Sequence, residues 1–148
     1  RLEIIYKDSS NLLIRDFAHS PSKLTASVNA TRETFKDNFI IGVYELHTFS
    51  SLDPNFINQY SGSLDNCDLP IVFYDKKNKK LQDSNSINNK IISNAFNIQN
   101  LIIIDNSEDL FSYLMSIEYK KTCLLLMSSG NFGSMNIDKL KSYISNES

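Results

Sequence analysis

A chain of 148 residues, 41% hydrophobic and 22% charged, is long enough for one domain with a sizeable core. Its net charge of −2 supplies no electrostatic reason for a nucleic-acid or anionic-membrane partner. No apolar run reaches the length of a membrane span and the first residues form no secretory signal. The two cysteines, Cys67 and Cys123, lack Cys-x-x-Cys spacing and fit free thiols, so a soluble cytoplasmic domain is expected.

Leu2-Glu3-Ile4-Ile5-Tyr6 and Leu12-Leu13-Ile14 flank the turn cluster Lys7 to Asn11 and predict a hairpin. Ser20-Pro21 predicts a helix start, because Ser20 can accept from a free N–H and proline suits the first helical position. Leu24, Val28, Thr31 and Phe35 then share one face. Phe39 to Tyr44 lacks polar alternation, as in a strand covered on both sides. Asp53-Pro54 predicts another helix, with Phe56, Ile57 and Tyr60 inward, and Pro70 to Tyr74 the next buried strand. Asp75 to Lys80 is a basic surface loop. A helix is expected over Ser86 to Phe96, with Ile87, Ile91 and Ala95 on one face, and a strand over Leu101 to Ile104. Ser107 is the expected cap of a helix with Glu108 and Asp109 in its first turn and a stripe of Leu110, Leu114 and Ile117. Cys123 to Met127 is the last strand; Ile137, Leu140 and Ile144 mark the last helix.

This alternation predicts an α/β three-layer sandwich: a mostly parallel sheet of about six strands, about five helices on its two faces, and an N-terminal β-hairpin. In such a sheet the loops after strands emerge on one edge, where ligands bind. Three of those loops are rich in polar groups: Asp16 to His19, Glu45 to Ser51, and Ser128 to Gly133. The first two hold both histidines of the chain, His19 and His47. Asp16 could equally cap a helix, and the histidines could equally bond turn backbone.

Ser128-Ser129-Gly130-Asn131-Phe132-Gly133 matches neither Gly-x-x-x-x-Gly-Lys-Ser/Thr nor Gly-x-Gly-x-x-Gly, and its glycines could as well permit positive φ. His19 and His47 have no neighbour at metal-ligand spacing, and a hydrolase built from Ser128 or Ser129, His47 and Asp16 would lack the Gly-x-Ser-x-Gly elbow. No metal site and no catalytic residue are therefore assigned.

Asp16-Phe17-Ala18-His19-Ser20-Pro21, followed by Lys23-Leu24 and Ala26, resembles the D-[YF]-A-H-x-P segment that opens the C-terminal domain of the Mur ligases. These ATP-dependent enzymes join amino acids or peptides to UDP-N-acetylmuramate in peptidoglycan synthesis. The resemblance covers nearly the whole chain, from Arg1-Leu2-Glu3 at the domain's opening. Glu45 to Ser51 takes the place of the substrate-selecting segment, and Met127 to Gly133 looks like the M-S-N-G-G-F-G loop of murein-peptide ligases. That loop favours the branch that attaches L-alanyl-γ-D-glutamyl-meso-diaminopimelate over the branch that attaches free L-alanine.

The resemblance implies that residues 1–148 are one domain, the C-terminal domain of such a ligase, working with N-terminal and central domains of the same polypeptide. ATP and Mg²⁺ would be bound mainly outside it, with Asp16 and His19 facing the nucleotide. His47, Thr48, Ser50, Ser51, Ser128, Ser129 and Asn131 would line the amino-acid or peptide side. One departure stands out: His47-Thr48-Phe49-Ser50-Ser51 lacks the arginines of H-R-Y-[ST]-R and R-S-N-T-M that could clamp a carboxylate. With no Walker loop, the chain alone is expected to be catalytically silent, and its role to be positioning. A different class of reading is a free-standing α/β regulatory module such as a receiver. It would need an acidic pair near Asp16 and a lysine where the last strand instead ends in Met127-Ser128-Ser129.

Overall fold

The structure, a computed structural model, describes residues 2–84 and 87–147. Six strands form one sheet in the order β1-β2-β6-β3-β4-β5. They are β1 (Leu2–Lys7), β2 (Leu12–Asp16), β3 (Phe39–Glu45), β4 (Leu69–Phe73), β5 (Ile102–Ile104) and β6 (Thr122–Met127). β1 pairs antiparallel with β2, and every other pairing is parallel. The helices are α1 (Pro21–Thr34), α2 (Lys79–Ser84), α3 (Asn89–Phe96), α4 (Ser107–Met115) and α5 (Ile137–Glu147).

Strand residues alternate between two cores because successive side chains point to opposite faces. In β6, Cys123, Leu125 and Met127 pack with Leu24 and Val28 of α1 and with Ile92, Ala95 and Phe96 of α3. Leu124 and Leu126 pack on the other face with Leu110 and Leu114 of α4 and Leu140 and Ile144 of α5. The expected three-layer sandwich is the observed one.

Local chemistry explains most boundaries. Lys23 N–H donates to Ser20 Oγ at 3.4 Å, and Pro21 opens α1 as the sequence suggests. The cap of α4 is Asn106 rather than Ser107: Asp109 N–H donates to Asn106 Oδ1 at 2.8 Å, so Ser107 becomes the first helical residue. The helix ends at Met115, so Ile117 lies beyond it and packs against the core from the loop. α3 begins at Asn89 behind an Asn88 cap; the expected start at Ser86, like Arg1, lies outside the described residues. α2 starts inside the expected basic loop, at Lys79.

The helix expected after Asp53-Pro54 does not form. A 3-10 turn, Ile57–Tyr60, takes its place, and another, Ser50–Leu52, ends just before Asp53. Asp53 does initiate a turn, accepting from Asn55 N–H through its side chain and from Phe56 and Ile57 through its carbonyl. The following bonds are three residues apart, Gln59 to Phe56 and Ser61 to Asn58. A 3-10 turn aligns side chains at that spacing, which lets Ile57 and Tyr60 both enter the core. Gly62, at φ +82°, then bends the chain away.

Candidate functional site

Strand register makes the carboxyl ends of the parallel strands level: Asp16 stands beside Met127, Met127 beside Tyr44, and Glu45 beside Phe73. The chain leaves β2 and β3 toward the α1 face and leaves β6 toward the α5 face. The loops after these three neighbouring strands therefore part around a crevice, the geometry in which open α/β sheets bind ligands. Ser128 N–H donates to the Asp16 carbonyl at 3.0 Å, and the Arg15 guanidinium donates to the Gly130 carbonyl at 3.4 Å. His19 and His47 both sit on this rim, with β6 between their strands.

On the β2 side, a cleft of about 310 Å³ is lined by Asp16, Phe17, Ala18, His19, Lys23 and Ser27, among others. Asp16 is only 2% exposed, and Ser27 Oγ of α1 donates to its carboxylate, tying the loop to the helix. His19 is exposed, with Nδ1 3.1 Å from the Phe17 carbonyl. One ring nitrogen thus engages the turn while the ring remains open to solvent. Phe17 is 61% exposed, with the Arg15 guanidinium 5.9 Å from its ring centroid. The cleft thus combines a carboxylate, an imidazole and an ammonium at the start of α1, a lining suited to a polar ligand.

The other side is organised by Glu45, the last residue of β3, whose side chain is 3% exposed. Its Oε1 accepts from Ser128 Oγ–H at 2.6 Å and from the Phe132 N–H at 2.9 Å. Ser128 Oγ in turn accepts from the Gly130 N–H at 2.7 Å. One buried carboxylate therefore pins both ends of the loop after β6. That loop needs pinning: Phe132, Gly133 and Ser134 all have positive φ, at 56°, 64° and 66°, a conformation unfavourable for the two non-glycine residues. The Phe132 ring is buried against Phe73, 6.2 Å between centroids.

His47 follows two residues after Glu45, and its Nδ1 lies 3.7 Å from Glu45 Oε2. That nitrogen is sealed from solvent and makes no hydrogen bond, although the side chain as a whole is 35% exposed. Gly130 forms the other wall: a Cβ there would lie 2.8–2.9 Å from the imidazole ring. Gly130 is thus required by close approach, whereas Gly133 has the positive φ expected of a turn glycine. Lys80 of α2 donates to the His47 carbonyl at 2.9 Å and lies 5.1 Å from the Phe49 ring centroid.

The remaining expected residues divide by exposure. Ser50, Ser129 and Asn131 are exposed on the rim, and Thr48 is half-buried. Ser51 is buried and donates to the Thr48 carbonyl, while Thr48 Oγ1 accepts from the Ser51 N–H. Ser128 is buried beneath the rim on Glu45, and Asn131 Oδ1 accepts from the Ser134 N–H. Among the described residues no three His, Cys, Asp or Glu side chains cluster so as to hold a metal ion.

Sequence reasoning gave no individual role to Glu45, Arg15 or Lys80. Glu45 did leave a trace, a charged residue closing an otherwise apolar strand; Lys80 was hidden in a run of surface lysines.

No family model matches the chain. It is 28% identical over 146 residues to the UDP-N-acetylmuramate–L-alanine ligase of Sulfurihydrogenibium sp., covering 98% of this chain and 32% of that protein. It is also 28% identical over 155 residues to the corresponding ligase of Persephonella marina, with 99% and 32% covered. The chain therefore spans about a third of the length of these curated relatives. Among solved structures, a murein peptide ligase from Psychrobacter arcticus superposes with a TM-score of 0.74 at 16% identity, covering 97% of this chain and 29% of that one. A domain of a Haemophilus ducreyi protein, described as a UDP-N-acetylmuramate:L-alanyl-γ-D-glutamyl-diaminopimelate ligase, gives 0.66 at 22% identity, with 97% and 99% covered.

Proposed function

We propose, for a chain whose homologues are the C-terminal domains of Mur ligases and which shares their fold, that it presents the incoming amine in an amide-bond ligase acting on UDP-N-acetylmuramate. The observation that carries this reading is the meeting of the loops after β2, β6 and β3 at one rim, with His19 on one side of β6 and His47 on the other. Asp16 and His19 face the nucleotide side of the crevice. His47, Thr48, Ser50, Ser51, Ser128, Ser129 and Asn131 build the amine side, with Ser51 and Ser128 acting from beneath it.

The reaction is attack of an amine on a carboxylate activated by ATP. ATP and Mg²⁺ are held mainly outside this chain, whose sequence contains no Walker loop, while Asp16 and His19 meet the nucleotide from their side of the crevice. Phosphoryl transfer is therefore assigned to other parts of the ligase. Holding reactants in line is substantial work by itself, able to supply roughly 7–11 kcal/mol of a barrier.

The amine is L-alanine or a murein peptide. The sequence relatives cited are L-alanine ligases, whereas the loop after β6 and two of the structural neighbours point to the peptide. The test is an assay of the full-length protein with UDP-N-acetylmuramate, ATP and either amine. Phosphate release should require all three components, and the 148-residue chain alone should release none. ATP hydrolysis by the pure chain, or a full-length protein inactive with both amines, contradicts the proposal.

A further inference from the structure

Glu45 has two carboxylate oxygens with different work. Oε1 already accepts two hydrogen bonds, from Ser128 Oγ–H and the Phe132 N–H. Oε2 faces His47 Nδ1 across 3.7 Å. That distance exceeds a hydrogen bond, so the interaction is electrostatic at short range. Because Nδ1 is closed to water, no solvent molecule can relieve an unfavourable arrangement there. A neutral imidazole carries one N–H and one lone pair. A lone pair on Nδ1 would lie 3.7 Å from an anionic oxygen, whereas an N–H would bring a positive hydrogen close to it. The difference is amplified by the low dielectric around a side chain that is 3% exposed.

We infer that Glu45 is a positioning residue that holds His47 as the Nδ1–H tautomer, so that Nε2 presents its lone pair at the rim as an acceptor for the ammonium or amine of the incoming substrate. Among the described residues no side chain or backbone group takes Nε2. Gly130 keeps the ring in this pose by leaving room for it, and Lys80 holds the backbone beneath it. The acceptor role rests on the function proposed above; the tautomer does not.

Glu45→Gln is the decisive variant. With the amide oxygen kept at the Oε1 position by its two donors, the amide NH₂ must take the place of Oε2 and point a donor at Nδ1. The tautomer should then invert. With only two histidines in the chain, ¹⁵N-histidine labelling gives a spectrum that His19→Ala assigns at once. At about pH 8.5, above the ordinary histidine range, two-bond ¹H–¹⁵N correlations should show Nδ1–H for His47 in the wild type and Nε2–H in Glu45→Gln. Nε2–H in the wild type, or one tautomer in both proteins, overturns the inference.

In the full-length ligase the same variant should raise KM for the amine substrate about tenfold or more, with KM for ATP changed less than about twofold. Because Glu45 also pins the loop that carries Ser129 and Asn131, the KM shift supports the acceptor role only when the inverted tautomer accompanies it, and a raised KM with the wild-type tautomer overturns it. If Glu45→Gln fails to fold, Gly130→Ala serves instead: its methyl displaces the ring without touching the carboxylate and should raise the same KM. An inverted tautomer with an unchanged amine KM overturns the acceptor role. A wild-type ligase inactive with both amines overturns the function itself, and the acceptor role with it, while the tautomer stands or falls by the spectrum.

Discussion

Tyr44 and Tyr60 show how a single polar pair is accommodated inside this protein. Both are buried, and one hydrogen bond joins their hydroxyls across 2.7 Å. The Tyr60 ring also stacks on Phe96, 5.2 Å between centroids. Tyr44→Phe removes one hydroxyl and strands the other, which costs about 1–3 kcal/mol, whereas removing both leaves an apolar contact. Tyr44→Phe should therefore lower the urea midpoint more than the Tyr44→Phe/Tyr60→Phe pair does. A double variant losing the sum of the two single losses would contradict this. Residues of this kind were half legible in the sequence: both tyrosines stand in apolar patterns, but nothing local announces that their hydroxyls meet. Glu45 was less legible, because its partner Ser128 lies 83 residues away.

At the scale of elements, the N-terminal hairpin is secured by its turn as well as by its strands. Asp8 Oδ1 accepts from the N–H groups of Ser10 and Asn11, each at 2.7 Å. Asn11, fully buried, donates to the Tyr119 carbonyl at 3.1 Å and accepts from the Thr122 N–H at 3.0 Å. The hairpin turn is thus stitched to the loop entering β6, the strand that completes the sheet between β2 and β3. Asn11→Ala leaves two backbone groups without their partner and should cost about 2 kcal/mol or more, read as a lower urea midpoint at unchanged slope. A midpoint within error of wild type would contradict it. The elements themselves were largely readable, since buried strands and the caps at Ser20 and near Ser107 carry local signals. The stretch from Ser50 to Tyr60 was not. A capping residue marks where free N–H groups need a partner, but it does not choose between bonds three and four residues apart. That choice was settled by the way Ile57 and Tyr60 enter the core.

Across the whole molecule, the placement of the rim followed from one rule, that parallel strands end together, so two histidines after two strands had to share an edge. The rule does not say which polar groups face outward, and so it did not separate Ser51 and Ser128, buried beneath the rim, from the exposed Ser50, Ser129 and Asn131. The same sheet gives the protein a marked response to alkali. Burial pushes the Cys67 and Cys123 thiols up from 9.0 to about 12. Burial likewise raises the Tyr44, Tyr60 and Tyr119 hydroxyls above their ordinary 10.0, Tyr44 with the added effect of Tyr60 beside it. In each case folding favours the protonated form, so the unfolded chain loses its protons first as pH rises. The stability tied to these groups is intact below about pH 9 and declines from there through about pH 12. Urea midpoints should therefore fall steadily above about pH 9, and both thiols should resist alkylation near pH 8 until denaturant is added. A midpoint level to pH 11, or rapid labelling of the native thiols, would mean that the two layers over the sheet exclude water less completely than the packing of Cys67 against Gly42 requires.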